Sequence, residues 1–286
     1  MSTGKKVCLI TGATGFVGQY LTKYLYERGQ YVVCLSWQEH APKNLYGLYN
    51  EWHVYDFAKD SPEDLNFKKN IDHFYHLSAT VSETQDLNQL KERYISDIVG
   101  PINLIDSLKE KIAYMCFFSS TSVYNVRGVY SLSKSMLEDA LRMTTKRYNI
   151  PFSCLRISSV YGPGMPEKAA IYRFIDDLKS GKRPSIGCDK HCKRNYIFIK
   201  DIAPAAFEIV YKNLTGDFNI ASRESVDIIK VINTICAHLN VKTDSIFYDA
   251  EKQIDTIVDI SRAAGEINFQ PTGLECGIGE TIECMS

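Results

Sequence analysis

A tyrosine and a lysine four residues apart could carry out proton transfer in this chain. Tyr130 and Lys134 stand in "YSLSK", at the start of a predicted helix, and residues four apart on a helix share one face. A nearby ammonium group stabilises a phenolate and lowers the pKa of a tyrosine from about 10 toward neutrality. Tyr130 is therefore a candidate general acid or base. Two solvated helix residues are the plainer interpretation of this common spacing.

A cluster of hydroxyl side chains lies just upstream of this pair. The apolar strand predicted over 114–118 is followed by Ser119, Ser120, Thr121 and Ser122. Ligands bind beyond the carboxyl ends of the strands in a parallel sheet, so Ser120 could donate a hydrogen bond to a substrate oxygen while Tyr130 moves the proton. Turn chemistry alone would also account for the serines. The tyrosine, the lysine and the hydroxyl cluster together favour a catalytic site.

Three glycines near the N-terminus have the spacing of a phosphate-binding loop. Gly12, Gly15 and Gly18 lie in "TGATGFVG", after a predicted strand at 7–11 and at the start of a helix predicted over about 15–28. Glycines here allow a sharp turn, close approach of a diphosphate to the helix N-terminus, and close packing of the helix on the sheet. A simple turn is the alternative, but the strand-to-helix context favours a dinucleotide site.

The end of the second predicted strand (31–35) bears on the choice between NAD and NADP. A carboxylate at this position would bind the ribose of NAD and repel the 2′-phosphate of NADP. The chain reads "LSWQ" there, and the first carboxylate is Glu39. The sequence therefore gives a slight preference for NADP(H), with Ser36, His40 or Lys43 near the phosphate.

The elements that must position these residues alternate between strands and helices. Continuous apolar runs are typical of strands buried on both faces of a parallel sheet, and their alternation with helices predicts a doubly wound α/β (Rossmann) fold. The predicted strands are 7–11, 31–35, 52–55, 73–78, 114–119 and 152–158, and long helices are predicted at 86–110 and 130–148.

The second half of the chain loses this alternation. It begins with a Pro/Gly loop at 161–168 and continues with shorter, mixed elements. We expect an NAD(P)-binding core over 1–160 and a smaller mixed C-terminal lobe over 161–286 that binds the substrate. Segments within about 190–220 are expected to return to the core.

Composition excludes several classes of protein. The 286 residues are 45% hydrophobic and 23% charged, with a net charge of −1, which argues against nucleic acid or an anionic membrane as the main partner. We find no apolar stretch that could span a bilayer and no secretory leader. Nine cysteines scattered singly indicate a reducing compartment, so the protein is expected in the cytoplasm. Cys188, His191 and Cys192 lack a second ligand pair, and no metal site is expected.

With these residues in place, the chain resembles the extended short-chain dehydrogenase/reductases, the NAD-dependent epimerase/dehydratase family of nucleotide-sugar enzymes. The resemblance covers nearly the whole length. Its motifs are "TGATGFVG" (11–18), "VYDFAKD" (54–60), "DHFYHLSA" (72–79), "FFSSTSVY" (117–124), "YSLSK" (130–134), "LRISSVYGPG" (155–164), "RNYIFIKDIA" (194–203), "GDFNIAS" (216–222) and "DISRAAGEINFQP" (259–271).

The resemblance implies a role for individual residues. Ser120, Tyr130 and Lys134 would form the catalytic triad, with Lys134 also holding the nicotinamide ribose and Asp56 contacting the adenine. The implied cofactor contacts are Gly12, Thr14, Gly15, Phe16, Val17, Gly18, Ser36, Asp56, Phe57, Leu77, Ser78, Ala79, Tyr130 and Lys134. The implied substrate contacts are Thr80, Ser120, Thr121 and Arg194, the last as a partner of the substrate diphosphate.

The chain departs from the family pattern at four points, one of which bears on the reaction. Thr121 and Ser122 stand where dehydratases of the family carry an acidic pair, which argues against a 4,6-dehydratase. Asp97 and Ser159 replace asparagines that are frequent in the family. The segment between Ser120 and Tyr130 is short, so the loop usually found over the sugar is truncated.

These observations lead to a sugar-nucleotide oxidoreductase. The leading hypothesis is a reductase of a 4-keto-sugar nucleotide that uses exchangeable NADPH or NADH. The first alternative is a nucleotide-sugar 4-epimerase with tightly bound NAD, and the second is a non-catalytic NAD(P)-binding sensor or scaffold. The resemblance also implies a homodimer formed through the helices at 86–110 and 130–148.

Overall fold

The computed structural model describes residues 5–186, 192–242, 247–248 and 257–285. The chain divides into two compact units. The first comprises Met1–Arg156 and Ala203–Phe218, and the second comprises Ile157–Ile202 and Asn219–Ser286. The first unit is therefore discontinuous in sequence.

The strands and the helices are each numbered in chain order. The strands are β1 (Val7–Thr11), β2 (Tyr31–Ser36), β3 (Glu51–Val54), β4 (His73–His76), β5 (Met115–Ser120), β6 (Phe152–Ile157), β7 (Ser159–Tyr161), β8 (Ser185–Ile186), β9 (Lys193–Arg194), β10 (Tyr196–Phe198), β11 (Gly216–Ile220), β12 (Val226–Asp227) and β13 (Phe247–Tyr248). The helices are α1 (Phe16–Glu27), α2 (Leu87–Tyr94), α3 (Gly100–Leu108), α4 (Val129–Arg147), α5 (Ala170–Lys179), α6 (Ile199–Tyr211), α7 (Ile228–Leu239), α8 (Ser261–Ile267) and α9 (Leu274–Cys284).

Seven strands form the main sheet, in the order β11-β6-β5-β4-β1-β2-β3. β1 lies between β2 and β4 and is parallel to both, with Cys8 opposite Val32 on one side and His73 on the other. The parallel pairs continue outward from β2 to β3 and from β4 to β5. The predicted doubly wound α/β fold is confirmed.

The core of the first unit forms where apolar strand residues meet the helices. Leu9, Phe74 and Phe117 come from three neighbouring strands and are fully buried. Leu104 from α3 and Leu141 from α4 pack in the same cluster. Burial on both faces of the sheet explains why these strands read as unbroken apolar runs rather than as alternating ones.

The helix predicted over 86–110 is interrupted in the structure. A π-helical turn at Ile95–Val99 separates α2 from α3. Pro101 has no N–H to offer the carbonyl of Asp97, which weakens the regular helical pattern at this point. Gly100 also approaches the backbone closely, since a Cβ there would lie 2.6 Å from the Phe57 carbonyl oxygen. The predicted long helix is therefore present over Leu87–Leu108, with a π-helical turn within it.

The second unit is built from short strand pairs and helices. β7 and β10 pair in parallel, and β9 and β12 pair in an antiparallel manner. Asn195 joins two segments of this unit, because its amide oxygen accepts from the Ser222 N–H at 2.9 Å and its amide nitrogen donates to the Ser222 carbonyl at 2.9 Å. The assignment of substrate binding to this unit stays a prediction.

Each helix in the described ranges falls short of the length and apolar character that a membrane crossing requires.

Candidate active site

The glycine loop after β1 has the close packing that its sequence predicts. Gly12 has a φ of +72°, which favours glycine, and a Cβ at this residue would lie 2.8 Å from the Ser78 nitrogen. At Gly18 a Cβ would lie 2.1 Å from the Gly12 carbonyl oxygen. Gly15 closes the loop by donating its N–H to that same oxygen at 3.0 Å. The loop therefore turns tightly onto the helix that follows it.

The N-terminus of α1 is suited to an anion. Gly15 precedes the helix, and within the described residues no side chain caps its first turn and no acidic side chain lies in that turn. Such a helix end presents N–H groups and a partial positive charge. Phe16 and Val17 lie half-buried in this turn, while the Thr14 carbonyl accepts from the Gln19 side chain at 2.7 Å. The loop and the helix end fit a dinucleotide diphosphate.

The segment after β4 lies directly beside the glycine loop. Thr11 Oγ1 accepts hydrogen bonds from the backbone N–H groups of Leu77 (3.2 Å) and Ser78 (3.4 Å). Ala79 continues the segment and lines a small cavity together with Ser78. Leu77, Ser78 and Ala79 are thus brought to the same end of the sheet as Gly12.

Three further predicted cofactor residues follow β2 and β3. Ser36 is buried at the end of β2, and its Oγ accepts from the Gln38 N–H at 3.1 Å. Asp56 forms an ion pair with Lys59 at 3.0 Å, and burial raises the Asp56 pKa while hydrogen bonding and Lys59 lower it, with a net lowering. The Phe57 ring lies 5.8 Å from the His76 ring. The predicted cofactor residues of the first unit therefore follow the carboxyl ends of β1, β2, β3 and β4.

The Ser120 hydroxyl lies close enough to the Tyr130 phenol to influence its pKa. Ser120 is the last residue of β5, and its Oγ accepts from the Ser122 N–H at 3.1 Å, which caps the 3₁₀ turn Thr121–Asn125. Tyr130 is the second residue of α4. The short segment between them closes the distance from the strand to the helix, so the predicted serine and tyrosine meet.

Lys134 lies one turn further along α4 and lines the same small cavity as Tyr130, Ser78, Ala79 and Asp97. Its side chain is buried, and Nζ donates to the Phe118 carbonyl at 2.7 Å. Burial lowers the pKa of this ammonium to about 8, against the opposing charge of Asp97. The lysine is therefore directed toward the end of β5.

The electrostatics of Tyr130 differ from the expectation drawn from the sequence. Burial raises the pKa of this phenol above 10, the hydrogen bond from Ser120 opposes that rise, and the Asp97 and Arg93 charges act in opposite directions. The predicted lowering of the pKa by Lys134 was wrong for this structure. The physical reason is that burial dominates, while the ammonium of Lys134 bonds to Phe118.

A buried ion pair beside the site escaped the sequence analysis. Arg93 Nε donates to Asp97 at 3.3 Å, and both side chains are buried. Asp97 also accepts from the Thr80 N–H at 3.2 Å and from the Thr80 hydroxyl at 3.1 Å. Thr80, a predicted substrate residue, is thereby held next to the cavity. The signal that could have shown the pair is the Arg-x-x-x-Asp spacing, since i and i+4 residues meet on a helix.

A second buried network lies beneath the hydroxyl cluster. Glu138 on α4 accepts from the Ser119 hydroxyl at 2.6 Å and from Arg156 at 2.6 Å. Burial raises the pKa of Glu138, but hydrogen bonds from Arg156 and Ser119 lower it, and the net shift is downward. Thr121 is buried next to this network. Because α4 and β5 are joined here, the network fixes the strand end that carries Ser120.

Arg194 is the one predicted site residue in the second unit. It lies in β9 and lines a pocket of that unit together with Arg173, Tyr161, Phe174 and Tyr196. Two guanidinium groups on an otherwise largely apolar wall suit a phosphorylated aromatic ligand. Cys188 and His191 lie outside the described residues, so the expectation of no metal site there stays a prediction.

Comparison with known proteins agrees with the fold. Residues 8–221 match the NAD dependent epimerase/dehydratase family. The chain is 27% identical to a dTDP-4-dehydro-6-deoxyglucose reductase of Escherichia coli, covering 100% of this chain and 99% of the relative. It is 26% identical to a putative UDP-glucose 4-epimerase of Methanocaldococcus jannaschii, covering 78% of this chain and 81% of the relative.

A solved structure also matches over almost the whole chain. It is the UDP-glucuronic acid 4-epimerase of Bacillus cereus in complex with NAD, with a TM-score of 0.82, 23% identity and 98% coverage of both chains. This likeness supports the fold. The sequence match over 8–221 spans the glycine loop, the Ser120–Tyr130–Lys134 set and the strands that carry them. The chain therefore belongs to the NAD dependent epimerase/dehydratase family, as its motifs predicted.

Proposed function

We propose that this chain reduces the keto group of a nucleotide-linked 4-keto-sugar, with NADH or NADPH as the hydride donor and Tyr130 as the general acid. The observation that carries the proposal is the small cavity that Tyr130 and Lys134 line together, with Ser120 close enough to Tyr130 to influence its pKa. A relative matched from end to end is a 4-keto-sugar nucleotide reductase by name.

The direction of proton transfer supports a reductase. With its pKa raised, the Tyr130 phenol keeps its proton at neutral pH and can donate it to the oxygen of a carbonyl being reduced. Ser120 orients that oxygen by donating a second hydrogen bond. Lys134 is close enough along α4 to bind the ribose next to the nicotinamide. Bound NADH or NADPH supplies the hydride.

The glycine loop and the Leu77–Ala79 segment are the proposed cofactor site. They fit a dinucleotide because close backbone packing at Gly12 and Gly18 makes the tight turn onto α1 possible, and the uncapped N-terminus of that helix suits a diphosphate. We retain the slight preference for NADPH as a prediction. The measurement is a fluorescence titration of NADH and NADPH into the purified protein, after denaturing a sample and chromatographing any released nucleotide.

The pocket in the second unit is the proposed site of the nucleotide. Arg194 and Arg173 would bind its diphosphate, and the aromatic side chains of the pocket suit a base. Thr80 and Thr121 are the proposed sugar contacts in the first unit. We name the substrate by class, since the pocket chemistry supports a nucleoside diphosphate without selecting the base.

A 4-epimerase is the second candidate, because another relative matched over most of the chain is a putative UDP-glucose 4-epimerase. One assay separates the candidates. Consumption of NADPH or NADH with dTDP-4-dehydro-6-deoxyglucose supports the reductase. Retained NAD, together with interconversion of UDP-glucose and its 4-epimer, would replace it with the epimerase. Cofactor binding without either reaction would favour a sensor.

We also propose a cytoplasmic homodimer. Six of the described cysteines are buried as small apolar side chains, which fits a reducing compartment. Leu132, Met136 and Met143 are exposed on α4, Met143 to 75%. Exposed apolar side chains on one helix support association with a second copy. Sedimentation of the purified protein measures this directly.

A further inference from the structure

The helix that carries Tyr130 begins in an unusual way. Gly128 precedes α4 and has no side chain with which to cap it. Instead, the carboxylate of Glu83 accepts from the Val129 N–H at 2.8 Å and from the Tyr130 N–H at 3.4 Å. Glu83 is 46 and 47 residues away in sequence. A carboxylate at a helix N-terminus pairs with otherwise unbonded N–H groups and with the helix dipole.

The space for this carboxylate depends on the glycine. A Cβ at Gly128 would lie 2.7 Å from Glu83 Oε1, so the carboxylate would have to move away from its present position. The backbone N–H groups of Arg127 and Gly128 have a different acceptor, because each donates to Ser131 Oγ at 3.1 Å. Glu83 is thus the cap for Val129 and Tyr130 in particular.

The loop that carries Glu83 is also held by hydrogen bonds with Arg93 and Asp97. The Arg93 guanidinium donates to the carbonyls of Thr80 and Ser82, and Asp97 accepts from the Thr80 N–H at 3.2 Å. Arg93 is only 4% exposed. A buried ion pair on the π-helical turn therefore holds the backbone on which Glu83 stands. The link runs from the ion pair through the loop to the first turn of α4.

We propose that Glu83 is a positioning residue for Tyr130. This inference rests on the proposed function, because it gives Glu83 a role only if Tyr130 transfers the proton. Glu83 accepts a hydrogen bond from the backbone N–H of Tyr130, while the Ser120 hydroxyl lies close to its phenol. Loss of the first contact frees the first turn of α4 and moves the phenol relative to the substrate carbonyl. Small displacements of a reacting group reduce the rate strongly.

The first test compares Glu83→Ala and Glu83→Gln with Glu92→Ala as the matched control. Glu92 is an exposed glutamate on α2. We expect Glu83→Ala to speed amide hydrogen exchange at Val129 and Tyr130, measured by NMR, by about fivefold, the usual effect of losing a helix cap. It should lower kcat with little change in the affinity for NAD(P)H. Glu83→Gln keeps one acceptor oxygen and should restore part of both effects, whereas Glu92→Ala should change neither.

The second test is a double-mutant cycle between Glu83 and Gly128. Gly128→Ala adds a methyl group against the Glu83 carboxylate, so it should lower kcat and speed exchange at Tyr130 in the wild-type background. In the Glu83→Ala background the same methyl group has room and should cost little. Equal effects in the two backgrounds, or unchanged exchange in Glu83→Ala, would overturn the proposal.

The two readouts separate this inference from the proposed function. Amide exchange at Tyr130 reports the position of the helix without any substrate. If exchange responds as expected but no variant reduces a keto-sugar nucleotide, the proposed reaction is wrong, and Glu83 then caps the helix without serving that reaction. If turnover is present and exchange is unchanged, the positioning role is wrong.

Discussion

Thr11 and His76 are joined by a hydrogen bond of 2.7 Å between Thr11 Oγ1 and His76 Nδ1, at the ends of the neighbouring strands β1 and β4. Thr11 Oγ1 also accepts from the Leu77 N–H. Burial lowers the pKa of His76 far below neutrality, so the ring in this hydrogen bond is neutral. The bond connects the strand that leads into the glycine loop with the segment beside that loop.

This relationship predicts an acid-sensitive fold. Burial and the Lys134 charge lower the pKa of His76 to about 3 from 6.5. Between these values the unfolded chain binds a proton that the folded chain does not, so stability falls as the pH falls from 6.5 toward 3. We expect His76 to account for about 2 kcal/mol of the stability lost between pH 7 and pH 5.

The measurement is urea unfolding of wild type and His76→Gln at pH 7 and pH 5. The variant should be less stable at pH 7 and should lose less stability on acidification. His238→Gln, at an exposed histidine on α7, serves as the control and should follow wild type. A His76→Gln variant with the full wild-type pH dependence would contradict the assignment.

Tyr130→Phe tests the proposed general acid. It removes the hydroxyl that lies close to Ser120 and leaves the ring in place, so the fold and the NADPH affinity should persist. We expect the turnover of a 4-keto-sugar nucleotide to fall roughly 10²–10⁴-fold. Tyr148→Phe, at the other end of α4, should keep wild-type turnover. Near-normal turnover in Tyr130→Phe would remove this residue from the mechanism.

Gly18→Ala tests whether the glycine loop needs its close packing. The added Cβ would lie 2.1 Å from the Gly12 carbonyl oxygen, so the loop must shift, at a cost of about 1–3 kcal/mol. We expect weaker NAD(P)H binding and a lower melting temperature. Gly265→Ala is the matched control, because no described atom lies within 4 Å of a Cβ at this position in α8. Its stability should stay the same or rise by up to about 1 kcal/mol.

Arg194→Ala tests the pocket in the second unit. Loss of a charge-assisted hydrogen bond to a diphosphate should raise the KM for the nucleotide sugar by about tenfold or more. The kcat at saturation should change little, because the guanidinium binds a part of the substrate that does not react. Lys230→Ala removes a positive charge outside this pocket and should leave KM unchanged. A fall in kcat at constant KM would argue for a different role.

Much of the fold could be predicted from sequence because local signals agree with the final structure. The strands β1 to β6 and the helices α1 and α4 lie within a residue or two of their predicted bounds. Gly12 and Gly18 stand where a Cβ would overlap backbone atoms. Ser120 and Tyr130 were predicted to meet, since a strand end and a nearby helix start are joined by a short segment.

The rest depends on contacts that the sequence does not show. The π-helical turn at Ile95–Val99 arises where Pro101 and the Phe57 backbone act on the same stretch of helix, and the latter contact is distant in sequence. Glu83 looks like an ordinary exposed loop residue until α4 is placed beside it. The pKa of Tyr130 depends on burial, which the helical spacing of Lys134 could not reveal.

The discontinuity of the first unit affects how the protein is made. β6 ends at Ile157, but its neighbour in the sheet, β11, ends only at Ile220. At a synthesis rate of ~5–20 residues per second, the roughly 60 intervening residues take about 3–12 s to emerge. During that interval the growing chain carries an unpaired, apolar strand at the edge of its sheet. Slower translation through this region would lengthen the period in which aggregation competes with folding.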